Sequence, residues 1–277
     1  MTARSISALA LLLAIGMTSF AVAQRPRREV KWVNPDIPKM PGLVHKVLES
    51  KSLGHEVGYV VWTPPEMDTS GETRYPVVYF LHGAGGSERS DAAGFASQVA
   101  GAIRGGKFPA AICVFPNGGM SGYRGDAEKM IVDELIPQID QDYPTQAKPS
   151  GRVVCGFSMG GAGSVHLSLN HPDLFCAAGS WGGALAFRGS GEDSPLLAVA
   201  KQNADKLKAN QYSLLTINGD QDRPDAFKPL KAIFDELDIE HRVVILEDTS
   251  HNLGKYHEKT SGLMLAFLKN QLGLAGT

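Results

Sequence analysis

The stretch from Val153 to Leu169 constrains the fold more than any other part of the chain. Val153-Val154-Cys155 is a short apolar run that reads as a buried strand, and Gly161-Ala162-Gly163 passes into a helical pattern that continues to Leu169. Between them lies Gly156-Phe157-Ser158-Met159-Gly160, a Gly-x-Ser-x-Gly pattern at an abrupt strand-to-helix turn. A serine there is held in a strained conformation with its hydroxyl exposed, and the flanking glycines leave space that a Cβ would fill. The backbone N–H groups that follow, at a helix N-terminus, favour negative charge nearby. Taken alone, the five-residue pattern is equally compatible with a plain turn carrying an incidental serine.

The surrounding pattern decides the fold class. Pro76–Leu81 and Ala110–Phe115 read as fully apolar strands, followed by strands at Val153–Cys155, Phe175–Gly179, Ser213–Ile217 and Val243–Leu246. Helical spacing appears over Asp126–Tyr143, after the serine turn, near Pro195–Asn210, over Asp225–Leu237 and from Tyr256 to Leu272. Apolar strands alternating with helices predict an α/β architecture, a mostly parallel central sheet covered on both faces. Leu43–Leu53 and Glu56–Thr63, turned at Gly54-His55, suit an antiparallel edge. Trp181–Asp193, rich in glycine and charge, reads as a long irregular loop of the kind that carries binding function.

The 277 residues carry a formal net charge of −2, which gives no electrostatic reason to expect a nucleic-acid partner. Arg4, the apolar stretch Ile6–Phe20 and the small-x-small sequence Ala21-Val22-Ala23 predict a signal peptide over residues 1–23, cleaved after Ala23, and a secreted or periplasmic protein. The unbroken apolar core, Ala8–Met17, is shorter than the ~20 residues that span a bilayer, and no cysteine near the cleavage site invites a lipid anchor. Residues 24–41, rich in proline and arginine, read as a solvated leader, and residues 42–277 as one catalytic domain. Cys113, Cys155 and Cys176 lie in apolar runs without metal-ligand spacing and read as small buried hydrophobes.

A serine hydroxyl becomes a useful nucleophile when a histidine takes its proton and a carboxylate orients that histidine. In sheet-based sites the partners follow the serine, in the order acid then histidine, just beyond the carboxyl ends of late strands. Asn218-Gly219-Asp220-Gln221-Asp222 and Glu247-Asp248-Thr249-Ser250-His251 meet this condition. Asp220, Asp222 and Asp225 compete for the acid position. His251 is favoured as base, since His241 opens a strand and His257 lies inside the last helix. Leu81-His82-Gly83-Ala84-Gly85-Gly86 also follows a strand, and N–H groups of Ala84 and Met159 are candidate donors to a developing oxyanion, with His82 bracing the loop. Trp181, Tyr123 and Phe187 are candidate walls of an acyl or aromatic subsite. No metal or organic cofactor is required by this chemistry.

These stretches resemble the esterase family of the α/β-hydrolase fold that includes feruloyl esterases, S-formylglutathione hydrolases and mycolyltransferases. The likeness is carried by Tyr75–Ser87, Pro116-Asn117-Gly118-Gly119, Glu134-Leu135-Ile136-Pro137, Gly156–Gly161, His171-Pro172-Asp173-Leu174-Phe175, Gly219-x-x-Asp222 and His251, and runs from about residue 43 to the C-terminus. It implies Ser158 as nucleophile, His251 as base, Asp222 as acid, and Ala84 and Met159 as oxyanion donors. With export, it points to the feruloyl-type esterases acting on short or aromatic acyl esters of carbohydrates. An acyltransferase using the same triad with a sugar acceptor, and a non-catalytic binding module, are the rival readings. Only about 30 residues separate Trp181 from the next strand, so no large cap is expected.

Overall fold

The computed structural model describes residues 29–272 apart from 69, 71 and 187–190. The expected signal peptide and Phe187 therefore lie outside the described residues. Eight strands form one sheet in the order β1-β2-β4-β3-β5-β6-β7-β8. They are β1 (Leu43–Ser50), β2 (His55–Trp62), β3 (Val77–Leu81), β4 (Ile112–Pro116), β5 (Arg152–Phe157), β6 (Ala177–Trp181), β7 (Ser213–Gly219) and β8 (Glu240–Leu246). β1 and β2 form an antiparallel hairpin, β2 runs antiparallel to β4, and every pairing from β4 through β8 is parallel.

Period-two alternation divides the core into two layers. Val77, Tyr79 and Leu81 of β3 point to one side of the sheet, with Val154, Val165 and Phe175. Val78 and Phe80 point to the other, with Phe95, Cys155, Trp181 and Met264. Helix α1 (Ala92–Arg104) and α8 (Leu253–Gln271) cover this second layer, while α4 (Met159–Asn170), α5 (Pro195–Gln202) and α7 (Lys228–Leu237) cover the first. Between β4 and β5 the chain passes through α2 (Asp126–Lys129), a π-helical segment Met130–Leu135 and α3 (Ile136–Asp142). Pro137 stands where α3 begins; its missing N–H cannot continue the α-helical ladder. A short α6 (Ala204–Ala209) leads into β7.

Two expectations change at the sheet's margins, and one helix is added. β8 is the edge strand and is largely solvent-facing, with Val243 and Ile245 exposed, instead of buried on both faces. Helix α1 is not among the stretches assigned helical spacing from the sequence; Ala92, Phe95, Ala96 and Val99 form its buried face. The leader is not solvated throughout. Trp32 packs against the core, its carbonyl accepts from the Gly58 N–H at 2.7 Å, and the Asn34 N–H donates to the Glu88 carboxylate. Cys113, Cys155 and Cys176 are buried free thiols, and among the described residues no helix is long and apolar enough to cross a membrane.

Candidate active site

Ser158 stands between β5 and α4 with φ 57° and ψ −114°, a region that costs a non-glycine residue energy unless its surroundings hold it there. The surroundings are close-packed backbone. A Cβ on Gly160 would collide with the carbonyls of Leu81 and His82, and one on Gly156 with those of Leu81 and Gly160. The Ser158 N–H is held by the Trp181 carbonyl at 2.8 Å, and its own carbonyl accepts from the Ala162 N–H. The hydroxyl is thus aimed outward by the fold.

The partners arrive from the carboxyl ends of β7 and β8. The Ser158 hydroxyl donates to His251 Nε2 at 2.8 Å, and His251 Nδ1–H donates to Asp222 Oδ2 at 2.6 Å. His251 keeps a side-chain exposure of 38%, whereas the Asp222 residue is 5% exposed. Phe157 stacks on the imidazole at 4.8 Å between ring centroids and limits its rotation. The competing acids have other tasks. Asp220 accepts the N–H groups of Asp248 and Thr249, bracing the loop that carries His251; those bonds hold its carboxyl below the usual range. Asp225 lines a separate surface cavity with Arg223 and Lys228.

Asp222 has a further partner that sequence reasoning did not single out. The Tyr256 hydroxyl donates to the same Oδ2 at 2.6 Å and accepts from the buried Gly219 N–H at 2.8 Å. Burial, with the carboxylate beside it, pushes the phenol far above its ordinary pKa, so it stays a donor. Asn252 explains its position: its side chain caps α8 by accepting the Lys255 N–H, and the first turn of the helix returns Tyr256 to the loop after β7. A tyrosine five positions after a candidate base was the available signal, and it read instead as part of an amphipathic helix face.

On the other side of Ser158, the loop after β3 is stiffened through His82. Its Nδ1–H donates to the Gly83 carbonyl at 2.8 Å, and Nε2 accepts the Gly118 N–H at 3.0 Å. Burial lowers the His82 pKa, in keeping with this neutral tautomer. Gly85, at φ 80°, turns the loop back on itself. Among the described residues, the N–H groups of Ala84 and Met159 donate to no protein acceptor, which leaves both free for an oxyanion.

Two of the expected subsite walls are corrected. Trp181 is 0% exposed; its Nε1–H donates to Thr260 and its ring packs against Phe80, Phe95 and His257. Tyr123 is also fully buried, with φ 60°, and its hydroxyl donates to the His82 carbonyl at 3.0 Å. Both support the site from beneath and neither faces a substrate. His257 is a half-buried histidine held near pKa 4 by desolvation, bonded to Gln98.

The mostly parallel sheet, with Ser158, His251 and Asp222 hydrogen-bonded in series at its carboxyl edge, has the architecture of the α/β-hydrolase fold. A profile of the family described as "Putative esterase" matches residues 50–229, and the chain belongs to that family. An esterase of Mycobacterium tuberculosis is 30% identical over 162 residues, covering 53% of this chain and 34% of its own length. The chain thus spans about a third of that relative. An endo-1,4-beta-xylanase/feruloyl esterase of Xylanibacter ruminicola is 34% identical over 122 residues, which is 40% of this chain and 16% of that protein. Among solved structures, a ferulic acid esterase superposes with a TM-score of 0.73 at 20% identity, covering 83% of this chain and 98% of that one.

Proposed function

We propose that the protein is an exported serine carboxylic-ester hydrolase that acts on short or aromatic acyl esters of carbohydrates. Family membership supports ester hydrolysis, and the relatives named as feruloyl or ferulic acid esterases support the substrate class. The observation that carries the reading is the hydrogen-bonded series from Ser158 through His251 to Asp222, at 2.8 and 2.6 Å, on a serine held at positive φ.

In this mechanism Ser158 Oγ attacks the ester carbonyl while His251 Nε2 takes its proton. Asp222 accepts the Nδ1–H and stabilises the imidazolium. The N–H groups of Ala84 and Met159 hold the oxyanion, each donor contributing roughly 10²–10³ in rate. Collapse of the tetrahedral intermediate expels the alcohol, protonated by His251, and water then releases the acid from the acyl-enzyme by the same route in reverse.

The test is a panel of p-nitrophenyl acetate, methyl ferulate and acetylated xylan, assayed with the wild-type protein and with Ser158→Ala. Turnover of an ester that falls by about 10⁴-fold or more in the variant is expected. Equal turnover by the two proteins overturns the assignment.

A further inference from the structure

Beside the oxyanion loop lies a cleft of about 970 Å³ with an unusual second wall. One side is formed by Ala84–Ser87 and Met120, the other by Glu29, Val30 and Lys31. The segment ahead of the first strand therefore borders the same loop that carries the candidate oxyanion donor Ala84.

That wall is fixed by the fold. Asn117 Nδ2 donates to the carbonyls of Lys31 and Trp32, at 3.0 Å each, and to Glu88 at 2.8 Å. The Glu88 carboxylate, fully buried, also accepts the Asn34 N–H at 2.5 Å, its side-chain amide at 3.0 Å, and His45 Nε2 at 3.1 Å. The Trp32 ring lies against Gly119, where an added Cβ would come within 2.6 Å of it. Buried hydrogen bonds to an ionised group are the stronger kind. The arm and the oxyanion loop are therefore joined through one carboxylate, and the cleft between them is preorganised.

We propose that this cleft is the saccharide subsite of the enzyme and that Glu29 and Lys31 determine its specificity for sugar esters; the inference rests on the esterase reading above. Three features select the ligand chemistry. The volume lies near the top of the roughly 300–1,000 Å³ range of small-molecule sites, leaving room for more than a short or aromatic acyl group. Glu29 and Lys31 place an acceptor and a donor of opposite charge on one wall, so neither an anion nor a cation is favoured, whereas a neutral polyol bonds to both. Val30 and the exposed Met120 offer apolar surface to the C–H face of a sugar ring. Ala84, the candidate oxyanion donor, is itself part of the cleft wall, so an ester held there would have its alcohol portion within reach of the cleft.

The experiment compares paired esters with one acyl group each: methyl ferulate against a feruloylated arabinoxylo-oligosaccharide, and methyl acetate against an acetylated xylo-oligosaccharide. Wild-type protein is expected to show a higher kcat/KM for the oligosaccharide member of a pair. In Glu29→Ala/Lys31→Ala that preference is expected to fall about tenfold, through KM, as two charged hydrogen-bonding groups are removed. Both side chains are exposed, so the variant should unfold at the wild-type urea midpoint. An unchanged preference in the variant, or a wild type that turns over only the methyl esters, overturns the subsite while leaving the esterase reading in place. No turnover of either pair, nor of p-nitrophenyl acetate, overturns both.

Discussion

Tyr256→Phe separates the positioning of Asp222 from the chemistry of the site. The substitution removes one oxygen and leaves the ring, which packs in the layer covered by α8. Two interactions go with it: the 2.6 Å donation to Asp222 Oδ2 and the 2.8 Å acceptance of the Gly219 N–H. A hydrogen bond to a carboxylate contributes about 1.5–3 kcal/mol, and the orphaned N–H carries a penalty of about 1–3 kcal/mol. Relaxation of the loop will recover part of this, so a loss of about 2–4 kcal/mol in unfolding free energy by urea titration is expected. At neutral pH a looser carboxylate orients His251 less well, and kcat is expected to fall about tenfold, equivalent to ~1.4 kcal/mol. A variant that loses stability but keeps the wild-type kcat would refute the positioning role. It would leave Tyr256 as a core residue.

Three further outcomes follow from the geometry. Gly160→Ala drives a methyl into the Leu81 carbonyl, so it is expected to destabilise the fold by more than about 3 kcal/mol or prevent soluble expression; a normal thermal midpoint would contradict the packing described. Trp181→Phe removes a buried N–H bond to Thr260 and should lower stability by about 1–2 kcal/mol, while KM for aromatic esters stays the same; a raised KM would restore Trp181 to the substrate site. Glu128 is a pH-linked stabiliser: burial alone would raise its carboxyl, but hydrogen bonds from His166 and His171 hold it down at about 2, against 4.5 unperturbed. Its contribution, about 1–2 kcal/mol after solvent screening, is present above pH 4.5 and lost as pH falls toward 2. Glu128→Gln should lose stability at neutral pH and flatten the acid dependence over that window; parallel wild-type and variant curves would count against it.

The parts of the fold that could be read from the sequence are those decided by local pattern. β3 and β5 are continuous apolar runs because both of their faces are buried, and the glycines around Ser158 mark a turn that only glycine can pack. An acid after β7 and a histidine after β8, following Ser158 in the chain, could be read from strand ends, while the choice of Asp222 among three acids comes from the family resemblance. What could not be read depends on neighbours distant in sequence. Trp181 and Tyr123 lie close in sequence to the loops around Ser158, yet side-chain direction puts both beneath it. Asp220 and Asp222 differ by two positions, and only the turn after β7 decides which faces His251 and which faces the backbone of Thr249. Nothing in the local sequence singles out Glu88, yet its fully buried side chain ties Asn34, His45 and Asn117 together across three segments. The apolar run of β8 suggested a buried strand, because an edge position is not written in composition.

The most direct test of the central claim is labelling by an active-site fluorophosphonate followed by intact-mass and peptide analysis. The predicted result is one phosphonyl adduct per chain, located on Ser158, with a labelling rate that drops sharply in His251→Ala because the hydroxyl has lost its proton acceptor. An adduct elsewhere, or a rate at Ser158 that is the same with and without His251, would contradict the triad.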